Sequence, residues 1–414
     1  MERREVIASG SSLVALGLAG CLTTDDEAAT EPTDDAASAT TTEADEETTT
    51  GETTEAGEET ATEELAGTLT VATYGSFVDA PSSSPGPWIK EEFERRYPNV
   101  TLEWETREKA LDHYILRKQN DAAVDADAYV GMKVPELVRV DEKLDQPLFE
   151  GVRTDRLSNY DAVKSGYSFD PENRILPVFT GYCAFVYNDY EVDAPETLEA
   201  LTTDAFQGEV TVQNAQSDNT GLYFLLWTVK EYGEDGYLDY WERLLDNDLT
   251  ILDSWGESYG AFTSGDTSIL TSYSTDQVFA NRADSDLKKH QVAFPGGNGY
   301  TNLSGIGKFA DSDQDRLTEA FVDFMLGPEA QGKLAELNVS FPVTDHGDVP
   351  EVFEEYAKEP PEPLLYTYDD LVGRVGQWRE DWARTVASNY SSVCNSLQAG
   401  LPVSVRSGRG SAPR

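Results

Sequence analysis

The stretch that decides the fold class is Leu249-Thr-Ile-Leu252, then Ser254-Trp-Gly-Glu-Ser-Tyr-Gly-Ala-Phe262, then Ser268-Ile-Leu-Thr-Ser-Tyr273. The outer two segments are short and rich in β-branched and aromatic residues, which is typical of strands. In the middle segment, Ser254 precedes Glu257 by three residues, a capping-box pattern that predicts a helix starting at Trp255. A strand, a helix and a strand in this order predict a βαβ unit with parallel strands.

The same alternation continues on both sides of this unit. It predicts further strands at 68–73, 100–105, 126–131, 209–213 and 290–294, and helices at 88–97, 108–120, 221–232, 237–245, 276–283, 313–325, 328–337 and 368–388. A long β-rich run at 175–187 interrupts the pattern. We therefore expect an α/β fold of two lobes with largely parallel sheets, joined by two extended crossings near 175–188 and 290–302. The expected limits are 67–176 plus about 300–390 for lobe 1, and 177–299 for lobe 2.

Composition excludes several classes of function. The 414-residue chain carries a net charge of −46, and such a surface repels the phosphates of nucleic acids. Three His and three Cys are scattered, so we expect no metal site. The chain contains no Gly-x-Gly-x-x-Gly fingerprint. Its one Gly-x-Ser-x-Gly match, Gly256 to Gly260, lies within the predicted helix that begins at Trp255 and not at the sharp strand-to-helix turn of a nucleophile elbow. We therefore expect a protein that is not an enzyme and needs no cofactor. We expect Cys183 to lie in the core, and we expect structural or surface roles for His113, His290 and His346.

The acidic residues also suggest a high-salt environment. Sixteen of the 77 Asp and Glu residues lie in 23–66, so most of the excess belongs to the part expected to fold. Only 12 of the 31 basic residues are Lys. Strongly hydrated acids keep a surface soluble in molar salt, and we interpret the protein as halophilic; ordinary solubility is the alternative.

The amino terminus has the pattern of an export signal. Arg3-Arg4 resembles a twin-arginine signal, and an uncharged stretch, too short to span a bilayer, ends in Leu18-Ala-Gly-Cys21. The last four residues resemble a lipobox, which predicts a signal peptide at 1–21 and lipidation of Cys21. Residues 22–66 are acidic and Thr-rich, which predicts a disordered tether. Residues 391–414 contain no acid and are expected to be a disordered or non-native tail.

Aromatic residues at strand ends mark the candidate binding site. Tyr74 and Tyr273 each end a predicted strand, and Trp255 opens a helix directly after one. Ligands of open α/β sheets bind at the carboxyl ends of strands, so these three side chains are placed to meet a ligand. Tyr259 and Phe262 continue from Trp255 at helical spacing, and a stripe facing the core is the alternative interpretation.

A polar segment precedes the apolar helix of the second predicted lobe. It is Asp218-Asn219-Thr220-Gly221. Its side chains predict a helix N-cap, and its backbone N–H groups could also hold an anion.

The residues described so far belong to stretches that resemble one known family. The stretches are Thr73-Tyr-Gly-Ser-Phe77, Ser84-Pro-Gly-Pro87, Gly181-Tyr-Cys-Ala-Phe-Val-Tyr187, Asn219-Thr-Gly-Leu222 with Leu225-Leu-Trp227, Ser254 to Phe262, Ser272-Tyr-Ser-Thr275 and Phe341-Pro-Val343. In this order they are similar to the extracellular solute-binding proteins of ABC importers, specifically the thiamine-binding branch. The block Trp-x-Glu-x-Tyr-Gly-x-Phe and its distance to Tyr273 carry most of the resemblance.

The resemblance implies the two-lobe periplasmic-binding-protein type II fold, with a hinge of two crossing segments. It implies a monomer, lipid-anchored on the extracellular face, that passes thiamine or thiamine phosphate to an ABC permease and its ATPase subunits. Carried over by motif, the ligand-binding residues are the aromatic cage of Tyr74, Trp255 and Tyr273, with Tyr259 and Phe279, and the polar contacts Ser76, Asp218, Asn219, Thr220 and Gly221.

Three residues depart from the family pattern. Phe279 stands where the family has Tyr, Val339 stands where it has Trp, and Lys133 stands where it tends to have an acid. A cation at Lys133 disfavours bare thiamine and favours a phosphorylated or different ligand. Two alternatives remain: a ferric-iron or other small-molecule binding protein of the same fold, and a secreted hydrolase. The absence of a Tyr-Tyr dipeptide counts against iron.

Overall fold

The computed structural model describes residues 64–399, with side chains for 64–388. The predictions for Arg3, Arg4, Cys21 and most of the tether therefore lie outside the described residues. In the described part, no helix combines the length and the apolar character needed to cross a bilayer.

Strands and helices alternate along the described part. Within residues 64–399 the strands are β1 (Gly67–Thr73), β2 (Val100–Thr106), β3 (Ala128–Lys133), β4 (Phe149–Glu150), β5 (Ile175–Thr180), β6 (Tyr182–Tyr187), β7 (Val210–Gln213), β8 (Thr250–Leu252), β9 (Ile269–Tyr273), β10 (Gln291–Ala293), β11 (Asn298–Thr301), β12 (Ser304–Phe309), β13 (Phe341–Pro342) and β14 (Glu362–Leu364). The helices are α1 (Gly75–Val78), α2 (Gly86–Arg96), α3 (Leu111–Gln119), α4 (Val134–Lys143), α5 (Asn219–Tyr232), α6 (Tyr237–Asp246), α7 (Trp255–Ser264), α8 (Asp276–Arg282), α9 (Asp315–Met325), α10 (Pro328–Leu337), α11 (Glu351–Tyr356), α12 (Tyr368–Leu371) and α13 (Val375–Ala399).

The strands form two sheets. The first has the order β13-β5-β12-β3-β1-β2, with β4 paired to β12, and the second has the order β14-β11-β6-β9-β7-β8, with β10 paired to β6. Helices separate the parallel strands, as the alternation predicted. The α/β class of the sequence prediction is confirmed.

Each sheet is less parallel than expected. Strands β1, β2 and β3 are parallel, but β12 pairs antiparallel with both β3 and β5. In the second sheet β6 likewise pairs antiparallel with β9, β10 and β11. Most of the antiparallel pairs involve β6 or β12, the two strands that enter a sheet directly from the other one without the helix that a parallel connection requires.

Two crossings between the sheets lie side by side. Strand β5 belongs to the first sheet and β6 to the second, so the chain crosses at Gly181, and it returns between β11 and β12. The backbone N–H of Asn302 donates to the carbonyl oxygen of Gly181 at 2.8 Å, which ties the two crossings together. Both β5 and β6 are buried along their whole length, which explains their continuous apolar sequences.

The carboxyl-terminal elements do not follow the expected lobe limits. Strand β14 pairs with β11 of the second sheet, and α13 packs on α6, where the rings of Trp382 and Trp241 lie 5.4 Å apart. Both elements begin within 300–390, the range expected for lobe 1. The expected boundary between 176 and 177 also falls inside β5. The helix α13 also continues to Ala399, into the range expected to be a tail.

Candidate functional site

A cavity of about 700 Å³ lies at the carboxyl ends of three parallel strands. Strands β8 and β9 are both parallel to β7, so their carboxyl ends open at one edge of the second sheet. The segment 215–219 follows β7, Trp255 follows β8 and Tyr273 ends β9, and all of them contribute to the wall. Helix α4, which follows β3 of the first sheet, and the start of α13 form the remaining wall. The structure thus brings Trp255 and Tyr273 together, as the strand-end argument predicted, and places Asp218 and Asn219 beside them; Tyr74, the third residue of that argument, is not part of this wall.

The carboxylate of Asp218 organises this edge. One oxygen accepts hydrogen bonds from the backbone N–H of Thr220, at 2.8 Å, and from its hydroxyl, which makes Asp218 the predicted N-cap of α5. The other oxygen accepts from the backbone N–H of Trp255 at 2.9 Å. A single carboxylate therefore holds the starts of two helices, where its negative charge also complements both helix dipoles.

Trp255 presents its indole to the cavity from the first turn of α7. The Ser254 hydroxyl accepts from the Glu257 backbone N–H at 3.3 Å, so the predicted cap is present. The indole N–H donates to the hydroxyl of Ser272 at 3.0 Å, and the ring stacks on Tyr259 with 4.7 Å between centroids. Phe262, one turn further, is buried in the core. The aromatic stripe therefore runs from the core to the cavity, and Trp255 is its cavity end.

Tyr273 is the half-buried aromatic residue at the end of β9. Burial raises the pKa of its phenol, and the nearby charge of Asp218 raises it further, with smaller effects of Cys183 and Tyr74. The phenol therefore stays protonated at neutral pH. A neutral hydroxyl can donate to a polar ligand atom, and the ring offers an aromatic face beside Trp255.

Tyr74 has a different environment from the other two cage residues. Its hydroxyl donates to the side-chain oxygen of Asn338 at 3.2 Å, and burial raises its pKa. The ammonium nitrogen of Lys133 lies 5.7 Å from the centre of its ring. This ammonium also donates to the carbonyl oxygen of Gly131 at 3.1 Å. A cation of the protein itself thus lies over the ring that was expected to hold a cationic ligand, and Tyr74 does not line the cavity described above.

Thr220 and Gly221 are buried behind the cavity wall. The Thr220 hydroxyl is used by Asp218, as described. A Cβ at Gly221 would lie only 2.4 Å from the carbonyl oxygen of Gln213, so the glycine is required for the close approach of α5 to β7. Both residues shape the helix start, and their direct contact with a ligand stays a prediction.

Three further predicted residues also lie away from this cavity wall. Ser76 is exposed on the short helix α1, and the side chain of Phe279 is 40% exposed on α8. Tyr259 lies behind Trp255, and its hydroxyl is 3.4 Å from Nδ1 of His290. The histidine in turn lies 2.8 Å from a carboxylate oxygen of the buried Asp276. The ligand roles of these three residues stay predictions.

Sequence reasoning missed the charged residues of the opposite wall. They are Asp112 on α3, Glu136, Arg139, Glu142 and Lys143 on α4, and Arg379 and Glu380 on α13. Arg379 donates to the carbonyl oxygens of Ala215 and Gln216, which precede it by 164 and 163 positions. No local sequence pattern signals a contact of that range.

One group in the described part has the composition of a metal site but lies outside the cavity. The ligand atoms of Glu105, His113 and Asp125 lie within 4.8 Å of one another. Arg107 donates to both carboxylate oxygens of Glu105, at 2.9 and 2.8 Å, and lies 3.7 Å from Asp125. The guanidinium already supplies the positive charge that a metal ion would bring.

The fold and the cavity together define a class of protein. Two α/β lobes linked by adjacent crossings, with a cavity at strand ends, form a two-lobe binding protein of the periplasmic type II fold. Residues 88–360 match the family described as bacterial extracellular solute-binding protein, and the chain belongs to that family. It is the substrate-binding component of an ABC importer.

Individual relatives are similar over most of the chain. The thiamine-binding periplasmic protein of Escherichia coli (strain K12) is 27% identical over 320 residues, which cover 77% of this chain and 93% of the relative. That of Brucella suis biovar 1 is 26% identical over 318 residues, covering 76% and 91%.

Solved structures agree with the fold. A periplasmic thiamin binding protein superposes with a TM-score of 0.64 at 26% identity, covering 78% of this chain and 96% of that one. The ferric iron-binding protein A of Mannheimia haemolytica, in an open conformation, gives a TM-score of 0.62 at 15% identity, covering 78% and 99%. The second similarity is one of fold alone.

Proposed function

We propose that the solute is thiamine or one of its phosphate esters. The observation that carries the proposal is the placement of Trp255. Its indole lines the cavity, its N–H is held by Ser272, and its backbone is held by Asp218. A flat, permanently cationic thiazolium ring is attracted to such a face, at ~0.5–2 kcal/mol per desolvated contact.

The other walls of the cavity suit the remaining parts of this ligand. The phenol of Tyr273 is neutral and can donate to a polar atom, while Asp218 and Glu136 supply negative charge near the cation. The start of α5 and the guanidiniums of Arg139 and Arg379 lie where an anionic ester would find donors. Relatives named for thiamine binding support the proposal.

We further propose that the protein works at the outer face of the cell membrane. The lipobox pattern ending at Cys21 and the preceding Arg3-Arg4 support export followed by lipid anchoring. The acidic tether would keep the binding lobes within reach of a permease. The excess of acidic residues supports a halophilic protein. We propose that it acts as a monomer. The protein would bind and release its ligand without chemical turnover.

Calorimetry of the mature chain from residue 22 onward, in molar potassium chloride, tests the ligand. The titrants are thiamine, its mono- and diphosphate, ferric citrate, and the neutral thiazole alcohol that lacks the quaternary nitrogen. We expect saturable binding of at least one thiamine compound and none of ferric citrate. The neutral thiazole should bind at least tenfold more weakly than thiamine, because it lacks both the cationic nitrogen and the pyrimidine ring attached to that nitrogen. Binding of iron alone would contradict the proposal.

A further inference from the structure

A half-buried arginine without an acidic partner lies in the cavity wall. Arg379 donates from Nε to the carbonyl oxygen of Ala215 at 3.1 Å and from Nη2 to that of Gln216 at 2.7 Å. Within the described residues it forms no ion pair, and its Nη1 has no protein acceptor. A partly desolvated charge without a counterion costs free energy.

A second guanidinium approaches from the other lobe. Arg139 on α4 also lines the cavity, and one of its nitrogens, Nη1, bonds to Asp112. Burial lowers the pKa of Arg379, and the positive charge of Arg139 lowers it further. The two guanidiniums therefore line one cavity with like charges that repel each other.

The acids of the same cavity are largely engaged elsewhere. Both oxygens of Asp218 accept from the starts of α5 and α7. Glu136 accepts from the backbone N–H of Lys133, and Asp112 pairs with Arg139. The two other acids of the lining are Glu142, which accepts from the backbone N–H of Gly373 at 3.3 Å, and Glu380, which lies 3.9 Å from Arg384. In the described part of the chain, the guanidinium of Arg379 is thus left without a carboxylate of its own and can take an outside anion.

We propose that Arg139 and Arg379 form a clamp for the phosphate of a phosphorylated ligand, one guanidinium from each side of the cavity. The inference rests on the proposed function and narrows it to the esters of thiamine. Guanidinium groups match phosphate oxygens through two parallel N–H donors. An anion between them removes their mutual repulsion, so the ester would draw α4 of the first lobe toward the loop 215–216 of the second. Bare thiamine would fill the aromatic part of the cavity and leave the repulsion in place.

The test compares ligands that differ only in phosphate. Thiamine, its mono- and diphosphate, and inorganic phosphate are titrated calorimetrically into the mature chain and its variants at one molar salt concentration. The variants are Arg379→Gln, Arg379→Lys, Arg139→Gln and the control Arg384→Gln. Arg384 lies on the same helix, outside the cavity, and pairs with Asp381.

The clamp predicts a specific pattern of affinities. The wild type binds the monophosphate at least tenfold more tightly than thiamine. Arg379→Gln and Arg139→Gln each weaken ester binding by roughly 10- to 100-fold, as expected for losing a charged hydrogen bond, and change thiamine binding less than threefold. Arg379→Lys keeps the positive charge but lacks the two parallel N–H donors of a guanidinium, so its loss of ester affinity is intermediate. Arg384→Gln leaves the affinities for thiamine and its esters unchanged.

Other outcomes overturn the clamp. If the wild type binds thiamine as tightly as its esters, the clamp is wrong and the proposed function stands. If Arg379→Gln weakens the binding of thiamine and of the ester equally, Arg379 only supports the loop 215–216. Among the described residues Arg139 has no hydrogen bond to that loop, so the effect of Arg139→Gln on ester binding alone then shows whether the clamp exists. If neither thiamine nor any ester binds, the proposed function fails and the clamp fails with it.

Discussion

Trp255→Ala should lower ligand affinity far more than it lowers stability. In the free protein the change removes one hydrogen bond to Ser272, worth ~0.5–1.5 kcal/mol, and the stacking on Tyr259, worth ~0.5–1.5 kcal/mol. It opens no closed void, because the indole already borders a cavity of about 700 Å³. We therefore expect a loss of about 1–3 kcal/mol in the free energy of unfolding. Losing a central aromatic contact costs ~2–4 kcal/mol of binding, or roughly 30- to 1,000-fold in Kd.

The measurement is urea unfolding and calorimetric binding on the same preparation, with Phe262→Ala as the matched control. Phe262 lies on the same helix but is only 6% exposed, so its truncation should cost ~3–5 kcal/mol of stability. Affinity per folded molecule should survive that change within a few-fold. If Trp255→Ala shows the Phe262→Ala pattern, with intact affinity and a collapsed midpoint, Trp255 is a core residue and the ligand role is refuted.

Three further changes test the packing and the anchor. Gly221→Ala should destabilise the fold by ~1–3 kcal/mol in urea unfolding, because its Cβ would lie 2.4 Å from a carbonyl oxygen of β7. The control is Gly260→Ala on α7, whose Cβ would meet nothing within 4 Å, and it should leave stability unchanged or about 0.5–1 kcal/mol higher. Equal effects of the two changes would contradict the packing argument. Trp382→Ala should lower stability by ~3–5 kcal/mol by removing the contact with Trp241, and an unchanged midpoint would show that α13 is not part of the folded unit. Cys21→Ser should move the protein from the membrane fraction to the medium after cell fractionation, and a mutant that is processed normally yet stays membrane-bound would refute lipidation.

Local patterns predicted most helices, the strands β1 to β3 and β5 to β10, and one wall of the cavity, but neither β4 nor β11 to β14, of which β12 lies inside the first sheet. Alternation and capping identify helices from their own residues, so α7 begins at Trp255 and α5 is capped by Asp218, as expected. The strand-end rule then placed Trp255 and Tyr273 at one edge, because parallel strands share their carboxyl ends. What these patterns could not supply is the partner of each element. Packing of α13 on α6 and pairing of β14 with β11 depend on contacts between residues far apart in the chain.

The errors about the cavity have the same origin. Tyr74 directly follows β1, yet the ammonium of Lys133 lies over its ring, and the sequence marked Lys133 only as a departure from a family pattern. Arg379 escaped notice because the loop that it holds lies 164 positions earlier. A charged side chain becomes informative only when its partners are known, and those partners are set by tertiary structure.

The interleaving of the two sheets has a consequence for the order in which the protein can fold during synthesis. The first sheet begins with β1 but is complete only when β12 and β13 have been made, after nearly all of the second sheet. Once residues up to 180 have left the exit tunnel of the ribosome, β3 and β5 are therefore exposed without β12, the strand that lies between them. Final closure of the first lobe must wait until residue 342 has left the exit tunnel. Most of the first lobe therefore folds after its translation is finished. The protein can be fully folded before transport only if the whole polypeptide has first been released from the ribosome.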